Sequence, residues 1–75
     1  MNEFKSTWQI EFFRHSFPTL AAAKSFVRGK IHELDDTSCL IGEEIIHYVN
    51  HKPKAKVLIN LSSFDRVSFS RVHLL

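Results

Sequence analysis

His47 and His51 stand four residues apart, and on a helix both rings would reach one metal ion. A zinc hydrolase of the His-Glu-x-x-His type needs a glutamate directly after the first histidine, and Tyr48 stands there instead. Glu43 and Glu44 could add a ligand, yet two histidines on an exposed face near a helix end need no metal to explain them. His51, when protonated, would suit the negative end of the helix dipole. Cys39 lies near the start of the same segment, where the dipole would favour a thiolate and the neighbouring Asp35 and Asp36 would oppose it. It reads as a small buried residue. With glycine only at 29 and 42 there is no phosphate-cradling loop. Asp35 and Asp36 could hold a divalent ion, but as helix caps they need none. Trp8 and the seven phenylalanines could stack on bases, although their strand and helix spacing assigns them to a core. No nucleophile, base and oxyanion set assembles, so the chain reads as a non-enzyme with no cofactor and no metal.

The elements that would position these residues follow from periodicity. Thr7 to Phe13 alternates, with Trp8, Ile10 and Phe12 on one side and Thr7, Gln9 and Glu11 on the other, which predicts a half-buried strand. Ser16-Phe17-Pro18-Thr19 predicts a turn into a helix, with Ser16 or Thr19 as cap. Leu20, Ala23, Val27, Ile31 and Leu34 recur at three- and four-residue steps, with Ala22 and Phe26 widening the stripe. Gly29 leaves open whether residues 30–34 continue that helix or are extended. Asp35-Asp36-Thr37-Ser38 predicts a second helix start, after which Ile41, Ile45, Tyr48 and Val49 share one face and Pro53 ends the helix. Val57-Leu58-Ile59 within Lys56 to Leu61 reads as a central buried strand. Ser62-Ser63 would turn the chain, 64–68 be extended or irregular, and Phe69 to Leu75 open another helix.

At 75 residues and 44% hydrophobic, the chain is long enough for one small α/β domain spanning 1–75 and too apolar for wholesale disorder. No apolar run is long enough to span a bilayer, and the N-terminus lacks a signal-peptide pattern. A lone cysteine fits a reducing compartment, so a cytoplasmic location is expected. The net charge of +2 hides three blocks: +3 over residues 1–30, −5 over 31–50 and +4 over 51–75. Lys52, Lys54 and Lys56 form the densest basic stretch, but the acidic middle argues against a dedicated nucleic-acid binder.

Ile41-Gly42-Glu43-Glu44-Ile45 followed by Val57-Leu58-Ile59-Asn60-Leu61-Ser62 resembles the STAS domain family of sulfate transporters and anti-sigma-factor antagonists. In that family a helix leads to a buried strand reading roughly V-L-[DN]-[LF]-S, and a short connection leads to a junction opening the next helix. Ser62 to Val72 falls on that connection and junction. The resemblance implies a STAS-like small sheet with the strand at 56–61 at its centre, flanked by parallel neighbours, and helices packed on it. It also implies that the C-terminal part of the family fold is lacking here. Function would be regulatory protein–protein contact, with a partner such as an anti-sigma kinase. The contact residues implied are Asp35, Asp36, Ser62, Ser63, Asp65, Arg66, Ser68, Phe69, Ser70 and Arg71. Phe69 occupies the usual phospho-acceptor position, so Ser68 or Ser70 would have to take a phosphate, paired by Arg66 or Arg71. A shorter match, Glu33-Leu34-Asp35-Asp36-Thr37, resembles the small subunit of the transcription and repair factor TFIIH. The expectation is therefore a non-catalytic interaction module, with a small basic subunit of a nucleic-acid-handling complex as the alternative. The apolar end Val72-His73-Leu74-Leu75 suggests a shortened copy of a longer domain or self-association.

Overall fold

The structure is a computed structural model that describes residues 6–33, 40–63 and 66–75, with only the backbone of 62 and 63. The first strand, β1 (Ser6–Ile10), turns through residues 11–14 into β2 (His15–Phe17). Helix α1 (Leu20–Lys30) follows, then β3 (Glu44–Val49), β4 (Lys52–Ser63), β5 (Arg66–Phe69) and β6 (His73–Leu74). The strands form one antiparallel sheet in the order β2-β1-β3-β4-β5, with β6 also pairing β4.

Helix α1 forms where the spacing predicts it. Thr19 is extended, at φ −137° and ψ 157°, and its Oγ1 accepts the Ala22 N–H at 3.1 Å, meeting one donor the first turn leaves unpaired. Gly29 does not stop the helix, which ends in basic residues Arg28 and Lys30. Ala23 and Val27 are wholly buried and pack with Ile10, Ile45, Val57 and Ile59 of the sheet. Leu20, Phe26, Phe13 and Phe17 border that core, and the Phe26 ring meets Phe13 and Phe17 at centroid distances of 5.1 Å.

Residues 44–49 form a strand, which corrects the second helix expected to follow the caps at Asp35-Asp36-Thr37-Ser38. Those four cap positions lie outside the described residues. Asn50 and His51 both have positive φ, 51° and 69°, the backbone of a two-residue hairpin whose twist matches its strands. Pro53 consequently lies inside β4 and ends no helix. Before β3, Gly42 at φ +83° turns the chain where a side chain would be strained, and the Glu43 N–H bonds the Leu40 carbonyl at 3.1 Å.

The strand at 56–61 is central, within the longer β4, but both its neighbours are antiparallel and not parallel as the STAS resemblance implies. One helix packs on the sheet among the described residues, where several were expected. Ser62 and Ser63 extend β4 and form no turn. Phe69 to Leu75 opens no helix: β5 and β6 run back along β4 and complete the sheet. β1 stops at Ile10, three residues short of the expected end, because residues 11–14 reverse the chain.

The molecule measures 46 × 21 × 17 Å. An 11-residue helix is about 16 Å long, so α1 covers only part of that length. Elsewhere on the sheet, Trp8 lies flat on His47 at 4.0 Å and 6°, and Ser6 Oγ lies 2.6 Å from His47 Nε2.

Candidate interaction edge

β5 and β6 lie on the same side of β4, opposite β3, because Ala55 and Lys56 already pair β3 on the other side. Ile59 pairs Phe69 and Lys56 pairs His73, so residues 57 and 58 oppose 70, 71 and 72. That is a bulge of one extra residue. Ser70 repairs it. Its N–H bonds the Leu58 carbonyl at 3.0 Å, and its Oγ accepts the Leu58 N–H at 2.9 Å, replacing the backbone acceptor that the bulge displaces. The same hydroxyl donates to the Arg71 carbonyl at 2.8 Å. Pairing resumes at His73 and Leu74, and the Leu75 N–H reaches the Lys54 carbonyl at 2.9 Å.

Since Ser70 bonds inward, strand alternation turns the N–H and C=O groups of Val67 and Phe69 outward, with no strand beyond them among the described residues. The side chains of Val67 and Phe69 face the helix, where they border the core. Lys24 and Arg28, one turn apart on α1, place their charges 5.4 and 5.2 Å from the centre of the Phe69 ring. Arg66 and Ser68 are exposed and alternate to the other face, and Arg71 is exposed at the bulge. None of Lys24, Arg28, Arg66 and Arg71 joins an ion pair among the described residues, where the pairs are Lys30–Glu33 at 2.9 Å and Lys56–Glu44 at 3.7 Å. Val72, Leu74 and Leu75 are 43%, 86% and 65% exposed, so the edge is apolar as well as basic.

Five of the residues expected at a contact site, Arg66, Ser68, Phe69, Ser70 and Arg71, thus lie together on this edge. Ser62 and Ser63 form the end of the β4 strand beside it, while Asp35, Asp36 and Asp65 lie outside the described residues. Of the two serines considered for phosphorylation, Ser68 is exposed and Ser70 is committed to the bulge. Lys24 and Arg28 were legible only as helix charges, and nothing in their spacing tied them to Phe69.

The histidines separate: His47 is half-buried on a strand against Trp8, and His51 sits in the hairpin turn. No group of three or more histidine, cysteine or acidic side chains among the described residues could hold a metal ion. Cys39 lies outside the described residues. No helix among the described residues is long and apolar enough to cross a membrane.

Hollows lie among the described residues on the sheet face opposite α1. One, of about 370 Å³, lies beside the β1–β2 turn, and another, of about 300 Å³, is lined by Thr7, Gln9, Tyr48 and His51. Comparison with protein-family models, curated proteins and solved structures finds no match.

Proposed function

We propose that the chain is a non-catalytic interaction module that receives an acidic, extended segment of a partner protein as an added strand along β5–β6. The edge that no described strand covers carries this reading: outward backbone groups at Val67 and Phe69, with cations outside any described ion pair on both sheet faces. A strand laid there would direct alternate side chains toward Lys24 and Arg28 on one face and toward Arg66 on the other. Backbone pairing supplies affinity, and the cations select acidic over basic sequences.

Titration of the labelled chain with an alternating Glu-Val peptide tests the proposal by amide NMR. Shifts should centre on Val67 and Phe69, weaken in Arg66→Glu, and weaken further in Val67→Pro, which removes an outward N–H and no bond to β4. A Lys-Val peptide binding equally, or shifts confined to other strands, would overturn it. Concentration-dependent dimerisation through the same amides would replace a partner with a second copy. An anti-sigma kinase is the partner class implied by the STAS resemblance, and the same titration applies to it. The nucleic-acid alternative centres on the Lys52–Lys56 stretch, where Glu44 lies 3.7 Å from Lys56 and offsets its charge.

A further inference from the structure

We infer that the hollow of about 370 Å³ beside the β1–β2 turn binds a small zwitterion with an apolar body, of the size and charge of a free amino acid. Glu11 and Arg14 both line it. They stand at the two ends of the turn, which is closed by the Arg14 N–H on the Glu11 carbonyl at 3.0 Å, with Arg14 in the left-handed region at φ 53°. Both are exposed, and they form no ion pair with each other or with any other described residue. A carboxylate and a guanidinium that line one hollow without pairing suit a ligand that carries both opposite charges. A simple anion would meet Glu11, and a simple cation would meet Arg14, each a like-charge contact.

Beside Ile10 and His15, which also line the hollow, four further residues fit the remainder of such a ligand. Ile46 and Tyr48 are half-buried and provide an apolar wall on β3. Gln9 and Ser16, directly opposite each other across β1 and β2, contribute uncharged hydrogen-bonding groups. The volume lies at the small end of the roughly 300–1,000 Å³ typical of ligand pockets. None of these residues belongs to the β5–β6 edge, so the inference stands or falls independently of the proposed function.

Amide NMR of the full chain with L-phenylalanine, 3-phenylpropionate and phenethylamine tests it, since the second lacks the ammonium and the third the carboxylate. Phenylalanine should shift Gln9, Ser16, Ile46 and Tyr48 saturably, and each analogue should bind about tenfold more weakly, the loss of one charge-assisted contact. Arg14→Gln should weaken phenylalanine by about the same factor without weakening phenethylamine, and Glu11→Gln should weaken phenylalanine without weakening phenylpropionate. That crossed pattern cannot arise from general damage to the fold. No saturable shift at these amides, an analogue binding as tightly as phenylalanine, or variants that bind like the parent would each overturn the inference.

Discussion

The sheet ends differently on its two sides. β2 is three residues long, runs into Pro18, and its Phe17 ring packs against Phe26 of α1 at 5.1 Å. Short length, proline and cover are the means by which a strand edge is kept from pairing. The opposite edge runs from Arg66 to Leu74 with Val72, Leu74 and Leu75 exposed. Its protection is partial, consisting of a bulge at 70–72 and arginines at 66 and 71. A bulge and cations hinder casual pairing while leaving a matched acidic strand acceptable. The difference teaches that one sheet can be sealed by length, proline and cover on one side and guarded by a bulge and charge on the other.

The largest effects should separate the core under α1 from the open edge. Ile45→Ala removes a fully buried side chain and should cost about 2–5 kcal/mol in urea unfolding. Leu74→Ala, at 86% exposure, should stay within about 0.5 kcal/mol. Equal losses would mean that the C-terminal strand is covered in solution. Within the edge, Ser70→Ala orphans the Leu58 N–H and should cost about 1–3 kcal/mol, with faster hydrogen exchange at that amide. Ser68→Ala, exposed, should be close to neutral. If the two serine variants behave alike, the bulge is not held by the Ser70 hydroxyl.

On the covered side, Thr19→Ala removes the helix cap and should destabilise by about 1 kcal/mol, measured by thermal unfolding. The smallest expected effect is at Glu33, whose carboxyl is held below its ordinary 4.5, first by the hydrogen bond from Lys30 and then by that ammonium's charge. A depressed folded-state value contributes stability above about pH 4.5 and loses it as pH falls through the lowered value. NMR titration of Glu33 should give a midpoint below 4.5 that Lys30→Met raises, with little change in overall stability.

Part of the fold was legible in residue spacing. Leu20, Ala23, Val27 and Ile31 marked α1, and Thr19 was one of two cap candidates for its start, because capping and a single buried stripe are local properties. Trp8 and Ile10 marked β1, and Val57-Leu58-Ile59 marked a central strand. Residues 44–49 misled because Ile41, Ile45, Tyr48 and Val49 also fit helical spacing. Their β-branched and aromatic content was the counter-signal, and Asn50-His51 lacks the glycine that usually announces such a hairpin. The residues from Arg66 to Arg71 expected at a contact were legible as a cluster in the chain. Their edge was not, since it depends on pairs as distant in sequence as Ala55 and Leu74.

By itself, then, the sequence determined the buried stripe of the helix, the β-rich apolar segments and the segregation of charge, all set by neighbours within a turn or a strand. Tertiary structure alone decided that β4 runs between antiparallel neighbours, and that Lys24 and Arg28 meet Phe69. It also decided that Ser70 completes a ladder and that Glu11 and Arg14 share one hollow with Tyr48. Those outcomes depend on strand order and register, which local patterning constrains to a face but not to a partner.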